Sequence, residues 1–259
     1  MIYVGTSGYS YDDWVGPFYP EGTTKNGFLD YYAQTFGCVE VNYTYYRMPD
    51  ARTLAAMAAK TPEGFRFVVK APGELTHERT TPEASFAQFQ AALTPLVESG
   101  KLGAVLAQFP GSFRPSDENR DYLAGFRQEL GALPVVVEFR HASWVGPRTF
   151  DLLRRLDLGF CCVDEPRLRS LMPPFAEVTS DVGYVRFHGR NAAKWFEHEQ
   201  AWERYNYLYT REELTEWITK TRRIDARAKE TYVFFNNHYN AQAAQNASLF
   251  TEMLAEEDR

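Results

Sequence analysis

The sequence of 259 residues has three cysteines, no excess of positive charge and no long apolar stretch. Cys161 and Cys162 are adjacent inside an apolar run, so we expect buried thiols on opposite faces of a strand and no disulfide framework. Such cysteine usage suits a reducing compartment, which predicts a cytoplasmic location. No apolar stretch approaches the roughly 18 residues that a membrane span needs, and segment 2–6 is too short for a signal peptide.

Charge and missing motifs exclude several classes of protein. The net charge of −6 argues against a protein that coats nucleic acid with a basic surface, although a local basic pocket remains compatible with it. The chain has no phosphate-binding P-loop, no G-x-G-x-x-G fingerprint, no H-E-x-x-H and no C-x-x-C motif. It also lacks the G-x-S-x-G elbow of serine hydrolases. We therefore expect no cofactor that is bound through a nucleotide motif.

Eight short apolar runs, each ending in a polar or charged residue, indicate the fold. Helix-patterned segments separate most of them, and continuous β-branched and aromatic runs are typical of buried parallel strands. Eight such units predict one α/β domain over 1–259, a single (β/α)8 TIM-type barrel whose site lies at the carboxyl ends of the strands. The runs are 3–6, 38–42, 66–70, 103–108, 134–140, 160–164, 184–188 and 231–236.

Capping signals support helices between the runs, and two segments depart from the pattern. Asp50 can cap one helix, and Thr210 with Glu213 forms a T-x-x-E capping box before another. Segment 165–181 is rich in Pro and Arg without a helical period, which predicts an irregular connection between strands 6 and 7. Segment 191–209 is long, polar and aromatic, and loops of this length are usually functional or disordered.

Polar side chains at the ends of the runs form the candidate site. Strand residues two apart share a face, so Glu138 and Arg140 should project to the same side. Charged groups are rarely buried unless they are paired or functional, which makes a ring of them at one barrel mouth a functional signal. The predicted ring contains Glu40, Asn42, Lys70, Gln108, Glu138, Arg140, Asp164, Arg186, His188, Arg190 and Asn236.

Four of these residues are candidates for acid–base catalysis. We expect Glu138 or Glu40 to act as general base or acid, with His188 or Lys70 as the partner that carries the proton. Arginines on both sides of His188 in the sequence should favour its neutral imidazole. Simpler alternatives stay open, because Glu40 can pair with Lys70 and Arg140 can act as an internal brace for Glu138.

The cationic side chains of the ring predict an anionic ligand. Guanidinium groups match phosphate and carboxylate geometry, and barrel enzymes often bind phosphate near the loops after strands 7 and 8. Tyrosines near the strand ends can stack on a ring of the ligand. The alternative is an internal salt network in which the arginines neutralise Glu40, Glu138 and Asp164. The predicted binding residues are Tyr9, Asn42, Tyr46, Gln108, Arg140, Arg186, Arg190, Tyr207, Asn236 and Asn237.

The residues leave three function classes open. The first is a barrel enzyme, a hydrolase or lyase, that acts on a small phosphorylated or carboxylated substrate. The second is a metal-assisted phosphodiesterase or nucleic-acid repair enzyme, because Glu40, Glu138, Asp164 and His188 are possible ligands of a divalent metal. The third is a barrel that binds a metabolite or partner without catalysis. The sequence does not indicate an oligomeric state.

Eight ordered segments resemble the YecE-like domain-of-unknown-function 72 family. The resemblance runs from the first strand to the last helix. The chain departs from the family pattern at Tyr9, where Trp is frequent, at Gly111, where a second Pro is frequent, and at Asn240, where Gly is usual. The segments are GTSGYSYDDWVGPFYP (5–20), VEVNYTYYRMP (39–49), FRFVVKAP (65–72), LTH (75–77), LGAVLAQFPGSF (102–113), VEFRHASW (137–144), YVRFHGR (184–190) and FFNNHYNAQAAQNA (234–247).

This resemblance implies a TIM-type barrel with a polar pocket at the strand ends and brings no established reaction. The three departures concern the shape of loops and leave the polar positions intact. Positions of the family motifs correspond here to Glu40, Asn42, Lys70, Gln108, Glu138, Arg140, His188, Arg190, Asn236 and Asn237.

Overall fold

Eight parallel strands close into a barrel. The computed structural model describes residues 1–80 and 83–257. Neighbouring strands pair in chain order and β1 pairs with β8, so the predicted (β/α)8 barrel is confirmed. The strands are β1 (Ile2–Ser7), β2 (Cys38–Val41), β3 (Arg66–Lys70), β4 (Leu102–Gln108), β5 (Val135–Glu138), β6 (Leu158–Asp164), β7 (Val182–Phe187) and β8 (Glu230–Phe235).

Helices follow seven of the eight strands, and the predicted caps are present. The side chain of Asp50 accepts a hydrogen bond from the N–H of Arg52, and Thr210 and Glu213 form the reciprocal capping box. These bonds satisfy backbone donors that the first helical turn leaves without partners. The helices are α1 (Lys25–Thr35), α2 (Ala51–Ala59), α3 (Glu83–Glu98), α4 (Asp117–Leu130), α5 (Pro147–Arg155), α6 (Arg211–Asp225) and α7 (Gln242–Glu257).

The strands are buried on both faces, which explains their continuous apolar sequence. Inside the barrel, Tyr184 packs against Phe234 of the adjacent strand with ring centroids 5.5 Å apart. On the outer face, Phe187 packs against Trp217 of α6 and Phe250 of α7. Full burial of an apolar side chain stabilises a fold by about 1.5–3 kcal/mol. Two apolar layers therefore hold the strands rigidly and fix the side chains at their carboxyl ends.

The two irregular segments lie where the sequence predicts them. Residues 165–181, all of which the structure describes, contain no helix and connect β6 to β7. The segment 191–209 contains a short 3₁₀ helix at Ala201–Tyr205, and its Trp195 is buried. Asn191 holds this segment by donating hydrogen bonds to the carbonyl oxygens of Glu203 and Asn206. The long loop is therefore a folded cover over one side of the barrel mouth.

The cysteines are free and buried, as predicted. The thiol of Cys161 lies 4.0 Å from Glu138 inside the barrel, whereas that of Cys162 lies 3.4 Å from the carbonyl oxygen of Glu177 outside it. The two thiols therefore occupy opposite faces of β6. Within 1–80 and 83–257, no helix has the length and apolar character that crossing a bilayer requires.

Candidate functional site

A network of buried charges occupies the centre of the barrel. Arg186 of β7 donates hydrogen bonds to Glu138 through Nη1 and to Glu40 Oε1 through Nη2, the second at 2.7 Å. Glu40 also accepts from the Tyr184 hydroxyl at 2.6 Å and from the Asn42 amide at 2.9 Å. Arg186 and both glutamates are essentially inaccessible to solvent. Since Glu40 pairs with Arg186, the alternative in which it pairs with Lys70 is wrong.

Glu138 is the shared acceptor of this network. Its Oε1 lies 2.7 Å from Arg140 Nε and 3.1 Å from His188 Nε2. Burial alone would raise the pKa of Glu138, but Arg186 and Arg140 hold that pKa well below its usual range. Glu138 is therefore an ionised structural centre, and Arg140 is the brace that the sequence left as an alternative.

His188 is a neutral imidazole beneath the cavity. Burial lowers its pKa to about 3, and the positive charge of Arg140 acts in the same direction. Its Nδ1 lies 3.1 Å from the amide nitrogen of Asn236, which donates, and its Nε2 faces the ionised Glu138. These partners assign the proton of the ring to Nε2. His188 therefore orients Glu138 and Asn236.

Asp164 and Arg190 lie outside the barrel, so their prediction as members of the ring is wrong. Asp164 falls on the outer face of β6, where it accepts from Trp217 Nε1 at 2.7 Å and from the Tyr209 hydroxyl at 2.9 Å. Arg190 donates to both Asp164 oxygens, at 2.7 and 2.8 Å. The alternation of side chains between the two faces of β7 does not extend to Arg190, because Gly189 has a φ of 89° and changes the direction of the chain.

Tyr207 and Asn237 also lie away from the cavity, which contradicts their prediction as ligand-binding residues. Asn237 is buried and donates hydrogen bonds to the Tyr207 carbonyl oxygen at 2.8 Å and to Asn246 Oδ1 at 2.9 Å. The Tyr207 hydroxyl donates to Glu213 of α6. Both residues follow a barrel strand but turn outward, where they join the loops to α6 and α7.

The possible metal ligands are not brought together. Asp164 faces α6, whereas Glu40, Glu138 and His188 face the interior, where Arg186 and Arg140 already engage both glutamates. In the described part of the chain, no group of three or more His, Cys, Asp and Glu side chains has an arrangement that can hold a metal ion. The four-residue metal site is therefore not formed.

A cavity of about 390 Å³ opens above the network at the carboxyl ends of the strands. Its lining combines cationic and polar side chains with several tyrosines. None of the described residues that line it is acidic. Glu40, Glu138 and His188, which were predicted to carry acid–base catalysis, are fully buried and are not among the residues that line the cavity. The predicted residues that do line the cavity are Tyr9, Asn42, Tyr46, Lys70, Gln108, Arg140, Arg186 and Asn236.

Lys70 is the cation of this cavity that has no carboxylate partner among residues 1–80 and 83–257. Its Nζ donates to Gln108 Oε1 at 2.8 Å and lies 4.5 Å from the centroid of the Tyr45 ring. Burial lowers the pKa of Lys70 to about 7, and the nearby Arg186 acts in the same direction. The ammonium therefore gives up its proton far more readily than that of a free lysine, which suits proton exchange with a ligand.

Tyr184, Glu165 and Arg204 belong to the site or its surroundings and were not predicted from the sequence. Tyr184, two residues before Arg186, shares the inner face of β7 with it, and strand alternation alone would have found it. Glu165 accepts from the Met172 N–H at 2.7 Å and from Arg140 Nη1 at 3.3 Å, and burial raises its pKa to about 7. Neither Glu165 nor Arg204, in the long loop, lies in a strand, so no periodic pattern identifies them.

The fold and the cavity define a TIM-type barrel with a cationic, tyrosine-walled site at the carboxyl ends of its strands. Comparison with known families agrees with that class. The chain belongs to the DUF72 family, since the family model described as a protein of unknown function matches residues 3–259. No specific activity is established for this family, and the resemblance seen in the sequence motifs is confirmed.

Similar proteins share the whole length of the barrel. A DUF72 family protein from Thermotoga maritima has a crystal structure that superposes with a TM-score of 0.91 at 44% identity, covering 98% of this chain and 99% of that one. A DUF72 protein from Enterococcus faecalis gives a TM-score of 0.88 at 30% identity, covering 98% and 96%. The UPF0759 protein YunF of Bacillus subtilis is 32% identical over 98% of this chain and 95% of its own length.

Proposed function

We propose that the protein is a cytoplasmic enzyme that acts on a small phosphorylated or carboxylated substrate by acid–base chemistry, as a hydrolase or lyase. The observation that carries this proposal is the charge of the cavity lining, which includes Lys70, Arg140 and Arg186 and, among the described residues, no carboxylate. The carboxylates below the lining offset the two arginines, whereas Lys70 has no carboxylate partner among the described residues.

Lys70 has the properties of the proton carrier in this proposal. A catalytic acid or base works best when its pKa lies near the operating pH, and that of Lys70 is about 7. As the ammonium it would attract the anionic group of the substrate, and as the amine it would accept a proton from the reacting carbon or water. Arg140 and Arg186, held by their glutamates, would fix the orientation of the bound anion.

The shape of the cavity supports a compact ligand with a flat face. Its volume of about 390 Å³ falls within the roughly 300–1,000 Å³ of small-molecule sites. Tyr9, Tyr11 and Tyr45 contribute aromatic surface to its wall. Aromatic rings bury large areas and stack on rings or sugar faces, which supplies binding without charge.

Turnover of a defined panel of metabolites tests the proposal. The panel contains sugar phosphates, sugar acids and aromatic carboxylates, and products are detected by mass spectrometry. We expect Lys70→Met to lower the turnover of any substrate found by at least about 100-fold, the usual loss of a positioned acid or base. Lys229→Met is the matched control, because this lysine is 79% exposed and pairs with Asp181 outside the site. Equal turnover by wild type and Lys70→Met would remove Lys70 from the mechanism.

The same panel separates catalysis from simple binding. A barrel that only binds its ligand would gain thermal stability from a panel compound and release that compound chemically unchanged. The metal-assisted alternative lacks a supporting observation, since the described residues form no cluster of metal ligands.

A further inference from the structure

A second lobe, of about 370 Å³, adjoins the cavity described above. The two lobes share one wall, to which Lys70, Gln108 and Arg140 contribute. The second lobe continues under the long loop, where Trp195 and Arg204 line it. None of its described lining residues is acidic, although the protein as a whole carries a net charge of −6.

Arg204 projects into this lobe without a partner for its charge. It makes no ion pair or side-chain hydrogen bond with the residues that the structure describes, and its buried Nε has no acceptor. Its guanidinium carbon lies 5.5 Å from the centroid of the Trp195 ring, so the aromatic face supports it. A bound anion would supply the acceptor that this buried donor lacks.

The backbone around Arg204 is held in place. Glu203 Oε1 accepts hydrogen bonds from the backbone N–H groups of Glu199 and Gln200 at the start of the 3₁₀ helix that carries Arg204. Lys194 pairs with Glu203 at 2.8 Å, so the nearest acid of this helix is already engaged. The guanidinium is therefore positioned before a ligand arrives, which lowers the entropic cost of binding.

The other groups that face Arg204 leave the lobe positive. Burial lowers the pKa of His77 to about 4, with Lys70 and Arg140 acting in the same direction, so this imidazole is neutral at pH 7. Arg140 is offset by Glu138 and Glu165. The charge available to a ligand thus comes from Arg204 at the outer end and Lys70 at the shared wall.

We infer that the second lobe is an anion subsite, in which Arg204 binds a phosphate or carboxylate group. The ligand then extends over both lobes and carries two anionic groups, one at Arg204 and one at Lys70. This inference rests on the proposed function for the group at Lys70 and extends it, because it names a dianionic small molecule as the substrate class and Arg204 as a specificity residue.

Protection of Arg204 from phenylglyoxal, mapped by mass spectrometry of peptides, tests the inference. Phenylglyoxal modifies accessible guanidinium groups, and the probes are acetate and the dicarboxylates from oxalate to glutarate. We expect at least one dicarboxylate to protect Arg204 at a concentration at least tenfold below that of acetate, because its second carboxylate binds at Lys70. Arg155, exposed on α5, is the internal control, and its modification should not respond to these anions.

The Lys70→Met variant separates the two claims. The acetate concentration that protects Arg204 in this variant should lie within threefold of the concentration needed in wild type. Dicarboxylates should no longer protect Arg204 at lower concentrations than acetate. Absence of protection by any probe up to about 50 mM would overturn the subsite, even if Lys70-dependent turnover is found. A dicarboxylate has two carboxylates, so chance alone lets it protect Arg204 at about half the acetate concentration. If no dicarboxylate does better than that, the ligand does not bridge the two lobes. Protection of Arg204 without Lys70-dependent turnover would retain the subsite and reject the proposed function.

Discussion

Replacing Glu138 by glutamine is expected to lower the free energy of unfolding by about 3–5 kcal/mol, the usual cost of breaking a buried ion pair from one side. The carboxylate of Glu138 faces Arg186, Arg140 and His188 at the centre of the barrel. Without its charge, the buried Arg186 and the largely buried Arg140 lose a counter-ion. Urea unfolding at pH 7, followed by circular dichroism, measures the effect.

Asp151→Asn is the control for that measurement. Asp151 is 61% exposed and pairs with Arg154 at 3.1 Å on the surface of α5, so its loss should cost less than about 1 kcal/mol. The folded pKa of Glu138 lies below 4.5, so its contribution to stability is complete above pH 4.5 and declines as the pH falls towards the folded pKa. A cost for Glu138→Gln no larger than that of the control would contradict the buried network.

Lys70→Met is expected to remove a pH dependence from the stability of the protein. The pKa of Lys70 is 10.5 when unperturbed and about 7 in the folded chain, so between these values the unfolded state holds one more proton. Burial of Lys70 therefore destabilises the fold most below pH 7, and this cost falls as the pH rises. The free energy of unfolding of wild type minus that of the variant should rise by about 1.4 kcal/mol per pH unit from 7.5 to 9.5.

The difference between wild type and variant isolates Lys70, because other groups with perturbed pKa values, including the buried cysteines, are common to both proteins. Groups near Lys70 add little in this range, since His77 and Glu165 have pKa values of about 4 and 7 and titrate mainly below pH 7.5. For Lys229→Met, the difference from wild type should stay constant, since Asp181 raises the pKa of Lys229 above 10.5. A constant difference for Lys70→Met as well would mean that Lys70 is charged throughout this range.

The barrel could be predicted because each strand is buried on both faces and is therefore a continuous apolar run in the sequence. Runs such as 103–108 and 231–236 match β4 and β8 to within one residue at either end. Where a run and a strand differ more, as for 134–140 and β5, the last residues of the run, Phe139 and Arg140, lie just beyond the strand. The position of the site at the carboxyl ends followed from the same pattern.

The members of the site were harder to predict because one step along a strand reverses the side-chain direction. Asp164 ends its run as Gln108 does, yet it faces α6, where Trp217 and Tyr209 bind it. For Arg190, the positive φ of Gly189 cancels the alternation that its sequence position suggested. Neither composition nor spacing indicates which residues of β6 face the barrel interior, and neither indicates that Gly189 adopts a positive φ.

Partners in loops explain the remaining differences. The sequence grouped Arg140, Arg186 and Arg190 as anion ligands, but buried carboxylates already engage all three. Among the described arginines that line the two lobes, the one without a carboxylate partner is Arg204, which the long loop carries. Charge pairing between distant segments is a tertiary property, so it cannot be read from local sequence.

The measurement that tests the central claim most directly is an NMR titration of the Lys70 side chain in protein labelled with ¹³C-lysine. Its Cε signal is assigned by its absence in Lys70→Met. We predict a midpoint near pH 7 in the free protein and a higher midpoint in the presence of inorganic phosphate, because a bound anion stabilises the ammonium. A midpoint near 10.5 that phosphate does not change would contradict the assignment of Lys70 as the proton carrier of an anion-binding site.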